Sequence, residues 1–192
     1  MMMKRKNNLP FLRIYFVRLT YENRVVLFLD YDIIKLSKGK ENKKMVINFD
    51  MDGTIVNLYG VEDWLSMLQN EDTTPYEVAK PLVNFSHLAR LLNKLLDKGA
   101  TINIISWTSK SGSPEYNAAV AEVKKAYLAK HLPSVVFSNI FIVPYGTPKY
   151  TLAKGILFDD EPKNREDWRK HNGTYSYDET DIINILKALA QA

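Results

Sequence analysis

A short apolar segment that ends in two carboxylates constrains this chain more than any other feature. Residues 46–49 are followed at once by Asp50, Met51, Asp52, Gly53 and Thr54. Side chains alternate along a strand, so Asp50 and Asp52 point to the same side at a strand end. Two anions held this close repel each other and lose solvation unless a cation or proton lies between them. Because carboxylate oxygens favour a hard divalent ion, we predict a Mg²⁺ site and metal-assisted chemistry at a phosphate.

From Met45 onward, segments with the pattern of short apolar strands alternate with segments of helical pattern. We predict strands over residues 45–49, 101–105, 140–143, 155–158 and 174–177. We predict helices over residues 61–69, 85–98, 114–130, 162–170 and 178–190. Short apolar strands separated by helices are typical of a parallel sheet that helices cover on both faces. The predicted fold class is therefore α/β.

Composition excludes several kinds of protein. The chain has 192 residues, which suits one domain of ordinary size. It has no cysteine, which excludes a disulfide framework, a zinc–thiolate site and a thiol nucleophile, and favours a cytoplasmic location. No apolar run reaches membrane-spanning length, so we expect no membrane partner.

The net charge of +4 is unevenly distributed, and residues 1–44 differ from the rest. They hold 11 of the 26 Lys and Arg residues but 4 of the 22 Asp and Glu residues. The domain predicted over residues 45–192 is therefore acidic, which argues against nucleic acid as its partner. Residues 1–44 have two interpretations. They form an appended β-hairpin, or translation naturally starts at Met45 and they are non-native upstream sequence.

Polar residues follow four of the predicted strands, at the edge where open parallel sheets bind ligands. In chain order these residues are Asp50 and Asp52, Ser106, Lys149, and Asp159 with Asp160. Lys154 is the alternative to Lys149. Asp159 and Asp160 also have an alternative interpretation, because acidic residues just before a helix are common as helix caps. Taken together, the four positions predict one site built from four strand ends.

At these positions the chain resembles the haloacid dehalogenase (HAD) superfamily of phosphohydrolases, over about residues 45–192. The resemblance rests on a DxDGT motif, a strand ending in Ser, a loop Lys and a strand ending in Asp-Asp, in the family's order. Receiver domains of two-component signalling use similar residues in a different order. The resemblance implies a three-layer αβα Rossmann-like HAD core with a parallel sheet and a minimal cap inserted at about residues 57–84.

The resemblance also implies residue roles. Asp50 would be the nucleophile that forms an aspartyl-phosphate, and Asp52 the general acid and base. Lys149 would neutralise charge on Asp50 and on the intermediate. The implied phosphate-binding residues are Gly53, Thr54, Ser106, Trp107 and Lys149. The implied Mg²⁺ ligands are Asp50, Asp52 through its backbone carbonyl, Asp160 as first choice, and Asp159 as the alternative.

The expected function is Mg²⁺-dependent hydrolysis of a small phosphate monoester. Tyr59, Trp64, Trp107 and Tyr145 would form an aromatic wall for a nucleobase. The small cap and the Asp-Asp motif are also weakly similar to deoxyribonucleotidase-like members, which favours a nucleoside monophosphate. The alternatives are a phosphatase of polynucleotide ends or phosphoproteins, and a non-catalytic interaction module with the HAD fold.

Overall fold

A five-stranded parallel sheet forms the centre of the computed structural model, which describes residues 44–192. The strands are β1 (Val46–Phe49), β2 (Val56–Asn57), β3 (Lys80–Pro81), β4 (Thr101–Trp107), β5 (Asn139–Val143), β6 (Ile156–Phe158) and β7 (Ser176–Tyr177). The sheet has the order β5-β4-β1-β6-β7, and β2 pairs with β3 in a separate antiparallel ribbon. The predicted strands and their parallel arrangement are confirmed. Both interpretations of residues 1–44 fall outside the described residues, apart from Lys44.

The described part of the chain contains six α-helices. They are α1 (Trp64–Gln69), α2 (Thr74–Val78), α3 (Phe85–Asp97), α4 (Pro114–His131), α5 (Pro162–Asn172) and α6 (Ile182–Gln191). The prediction that the last helix begins at Asp178 is wrong. The Asp178 side chain accepts from the Thr180 amide and caps a 3₁₀ turn, so the α-helix starts at Ile182. Among residues 44–192, no helix is both long enough and apolar enough to cross a membrane.

Helices cover both faces of the sheet, which gives three layers. On one face, Ile47 and Phe49 of β1 belong to a large core with residues of α3, α4 and α6. On the other face, Ile105 and Leu157 pack against Trp168 of α5, which is fully buried. The alternating pattern predicts this parallel sheet with helices on both faces, and the layers have the Rossmann-like αβα arrangement that the resemblance implies.

A ladder of buried amides joins the strands on the face that α5 covers. Asn48, Asn103 and Asn139 lie side by side in the register of β1, β4 and β5. Asn139 donates to Asn103 at 3.0 Å, and Asn103 donates to Asn48 at 2.9 Å. Asn48 in turn donates to the Ile156 carbonyl of β6 at 2.9 Å. These bonds satisfy the buried amides and join β1 to its neighbours just before Asp50, which follows the last residue of the strand.

Candidate active site

Three carboxylates meet where β1 and β6 end at the same edge of the sheet. Asp50 follows β1, and Asp159 and Asp160 follow β6, its direct neighbour. One oxygen of each residue lies within 4.8 Å of the others. We call these three residues the acidic trio. Hard oxygen donors in this arrangement fit a divalent cation such as Mg²⁺.

Within the acidic trio, Asp160 is freer to bind a cation than Asp159. Asp159 is fully buried, and its two oxygens accept from Lys149 at 2.6 Å and from Asn164 and the Glu161 amide at 3.0 Å. Asp160 is half-buried, and its carboxylate accepts a weak bond from the Thr54 hydroxyl at 3.3 Å. Burial, followed by repulsion from the other two carboxylates, raises the pKa of Asp160 to about 7. A bound cation would relieve that repulsion.

Lys149 forms ion pairs with two members of the acidic trio. It opens the 3₁₀ turn Lys149–Thr151 after β5 and is buried, with its Nζ 2.8 Å from Asp50 and 2.6 Å from Asp159. Its Nζ also lies 4.9 Å from the centre of the Trp107 ring. Burial lowers the pKa of Lys149, but attraction to the two carboxylates outweighs burial and raises it above the ordinary value. The ammonium therefore stays charged.

The carboxylate of Asp52 does not join the acidic trio. It forms an ion pair with Lys124 of α4, and burial raises its pKa although Lys124 opposes that shift. The Lys124 Nζ also donates to the Ser106 hydroxyl at 3.0 Å and to the Trp107 carbonyl at 2.6 Å. The sequence alone did not distinguish Asp50 from Asp52. In the structure, Asp50 pairs with Lys149 and Asp52 pairs with Lys124.

Lys124 is a site residue that the sequence analysis missed. It lies on the buried stripe of α4 with Tyr116, Val120 and Tyr127, and its own side chain is 1% exposed. Since an unpaired lysine is very costly to bury, a lysine inside an apolar helical stripe indicates a buried acidic partner.

Arg165 of α5 is a second residue that the sequence analysis missed. Its Nη1 donates to the backbone carbonyls of Asp159 and Asp160, at 2.6 and 2.7 Å. The guanidinium therefore holds the turn that presents both carboxylates.

Gly53 and Thr54 join the end of β1 to the end of β6. Gly53 has φ +75°, and a Cβ at this position would overlap the Asp160 carboxylate and the Tyr59 ring. The buried Thr54 hydroxyl accepts from the Asp160 amide at 3.0 Å. These two residues thus allow the ends of the two strands to approach closely.

A cavity of about 520 Å³ opens over these carboxylates. Asp50, Asp52, Asp159 and Asp160 line it together with Trp107 and Lys149. Of the other predicted phosphate-binding residues, Gly53, Thr54 and Ser106 are not part of its wall as far as the described chain shows. Ser106 is instead fully buried against Lys124.

Two aromatic pairs line the same cavity. Tyr59 and Trp64 meet edge to face with ring centres 5.0 Å apart, and Trp107 and Tyr145 meet with centres 4.9 Å apart. Trp64 comes from the short helix α1, which lies in the segment where the sequence predicts the cap. The four residues predicted as an aromatic wall therefore do face one cavity.

No family model matches the chain, and no curated protein matches it. A solved structure of D,D-heptose 1,7-bisphosphate phosphatase from B. bronchiseptica, complexed with magnesium and phosphate, is similar over 77% of this chain and 98% of its own. The identity is 13% and the TM-score 0.48. The corresponding enzyme from Burkholderia thailandensis is similar over 77% and 97%, with 11% identity and a TM-score of 0.40. At this level of similarity, the function has to be inferred from the residues of this chain.

Proposed function

We propose that this protein is a Mg²⁺-dependent phosphomonoesterase of the HAD type that acts through an aspartyl-phosphate. The observation that carries the proposal is the separation of Asp50 from Asp52. Asp50 lies in the acidic trio beside Lys149, whereas Asp52 faces the same cavity but pairs with Lys124. A two-step phosphoryl transfer needs one carboxylate that attacks and another that moves a proton, and the two environments suit these two tasks.

In the first step, the Asp50 carboxylate attacks phosphorus, a new O–P bond forms, and the bond from phosphorus to the leaving oxygen breaks. Asp52 gives its proton to that oxygen, and burial, which outweighs the opposing charge of Lys124, raises its pKa toward the protonated form that this requires. In the second step, Asp52 takes a proton from water, which attacks phosphorus and frees Asp50 and phosphate. Lys149 balances the charge that collects on Asp50.

The acidic trio is the proposed Mg²⁺ site, with Asp50 and Asp160 as ligands and Asp159 beside them. When bound there, Mg²⁺ would offset the repulsion between the Asp50 carboxylate and the incoming phosphate dianion. The donor set supports this assignment, because Lys149 forms ion pairs with Asp50 and Asp159, and the trio holds a third carboxylate, that of Asp160.

The proposed substrate is a small phosphate ester, with a nucleoside monophosphate as the first candidate. Its phosphate would lie at Asp50, and its base would stack on the aromatic pairs of the cavity, since every base has a π-face. A volume of about 520 Å³ suits a ligand of this size.

The test is a phosphatase screen with Mg²⁺ over nucleoside monophosphates, sugar phosphates, phosphopeptides and end-phosphorylated oligonucleotides. We expect the wild type to hydrolyse at least one small ester, and Asp50→Asn to lower its turnover by about 10⁴-fold or more. Asp97→Asn, which changes an exposed aspartate at the end of α3, should match the wild type. Activity that survives Asp50→Asn would refute the nucleophile. A wild type that hydrolyses nothing would favour the interaction module.

A further inference from the structure

The ammonium group of Lys124 has a hydrogen-bond acceptor for each of its three protons. An ammonium has three protons to donate. In Lys124 they meet the Asp52 carboxylate, the Ser106 hydroxyl at 3.0 Å and the Trp107 carbonyl at 2.6 Å. The Tyr76 ring lies 4.9 Å from the same Nζ. These contacts therefore fix the position of the Lys124 ammonium group.

Asp52 has fewer contacts of its own. Its side chain is 17% exposed and faces the cavity, and its ion pair joins it to Lys124. Two residues earlier on the same strand end, Asp50 belongs to the acidic trio. A cation at the acidic trio would attract the Asp52 carboxylate and favour a rotamer that points toward the trio. The fixed charge of Lys124 is what favours the observed orientation.

We infer that Lys124 is a positioning residue, which holds the Asp52 carboxyl group at the cavity wall, where its protonated form can give a proton to the leaving oxygen. The inference rests on the proposed function, since it assigns a role in the first step of that reaction. Lys124 itself contacts neither phosphorus nor the leaving group in this scheme. It acts through Asp52.

Packing alone does not account for a lysine at this position. Replacement of both partners of a buried ion pair by apolar side chains of similar volume is often neutral or stabilising, because neither charge then has to lose its solvation. Of the acceptors that Lys124 reaches, only Asp52 is charged and faces the cavity. Lys125, the next residue of α4, is exposed and pairs with Glu122 in solvent, so it provides a matched control.

The test compares two phosphate esters, one that releases p-nitrophenolate and one that releases an alkyl alcohol. Both are measured in single-turnover experiments with Mg²⁺, in which the enzyme is in excess over the ester. p-Nitrophenolate leaves as a stable anion and needs no proton, whereas an alkyl alcohol must be protonated as it leaves. For Lys124→Met we expect release of the alkyl alcohol to slow by about 100-fold and release of p-nitrophenolate by about threefold or less. Asp52→Asn should show the same selectivity, the double variant should be no worse than Asp52→Asn, and Lys125→Met should match the wild type.

Equal losses for both leaving groups in Lys124→Met would overturn the inference, because a purely structural role slows every substrate alike. If Lys124→Met does not fold, Lys124→Gln is used in the same way, since it is smaller and keeps a hydrogen-bond donor. A wild type without activity on any ester would instead refute the proposed function. The two failures are therefore distinguishable.

Discussion

Two buried lysines lie beside two carboxylates of one motif, yet their surroundings differ. Lys149 comes from a loop at the sheet edge and contacts Asp50 and Asp159. Lys124 reaches in from the long helix α4 and contacts Asp52 together with uncharged oxygens. The Lys149 region has three carboxylates and two cations, Lys149 and the Arg165 guanidinium on the backbone carbonyls of Asp159 and Asp160. The Lys124 region has one carboxylate and one cation. Excess negative charge suits the first region to a metal ion, while in the second region burial favours the protonated form of Asp52 and Lys124 opposes it.

The largest expected effect comes from removing the lysine of the crowded region. Without Mg²⁺, Lys149→Met leaves Asp50 and Asp159 buried without their cation, so the free energy of unfolding should fall by about 3–5 kcal/mol. Lys124→Met should cost less, because Asp52 is partly exposed and can reach water. Urea denaturation of both variants measures this difference.

Adding Mg²⁺ to the same two variants sharpens the comparison. A cation in the acidic trio replaces part of the charge lost in Lys149→Met, so excess Mg²⁺ should stabilise this variant more than it stabilises Lys124→Met. The opposite order would show that the metal lies nearer to Asp52 than proposed.

A smaller effect is expected at Gly53, which lets the ends of β1 and β6 meet. In Gly53→Ala, the positive φ of +75° and the overlap with Asp160 should together lower the free energy of unfolding by about 2 kcal/mol and weaken Mg²⁺ binding. Gly146→Ala is the control, since Gly146 also has positive φ, +83°, but a Cβ there meets nothing within 4 Å. Equal losses in both variants would mean that contact with Asp160 contributes nothing.

The smallest effect on stability is expected at Asp160. Asp160→Asn removes one of three repelling carboxylates, so stability without metal should be unchanged or slightly higher, while Mg²⁺ affinity should fall by about 10–100-fold. Titration calorimetry measures the affinity, with Asp97→Asn, an exposed aspartate at the end of α3, as the control. If Asp159→Asn weakened binding more than Asp160→Asn, the metal ligand would be Asp159.

Much of the site was predictable because its main residues follow strands. Apolar runs and helical stripes are local patterns, and parallel neighbours such as β1 and β6 bring their carboxyl ends together. Asp50, Asp159, Asp160 and the loop residue Lys149 were found in this way, and the structure places all four around one cavity.

Residues that reach the site from helices were harder to predict. Lys124 lies 72 positions from Asp52 in sequence, and their contact depends on how α4 is rotated over the sheet. A local hydrogen bond also shifted the start of α6, because the Asp178 side chain caps a 3₁₀ turn instead of the helix. Such details depend on packing and on small differences between competing local bonds.

The sequence by itself determined the α/β fold and an acidic edge with Asp50 and Asp52 on one side, because strand alternation is a local property of the chain. It left these two carboxylates equivalent. Only the tertiary structure decided that Asp50 meets Lys149 while Asp52 meets Lys124. The physical reason is that each ion pair joins elements far apart in sequence, so the packing of helix and loop against the sheet decides which cation each carboxylate meets.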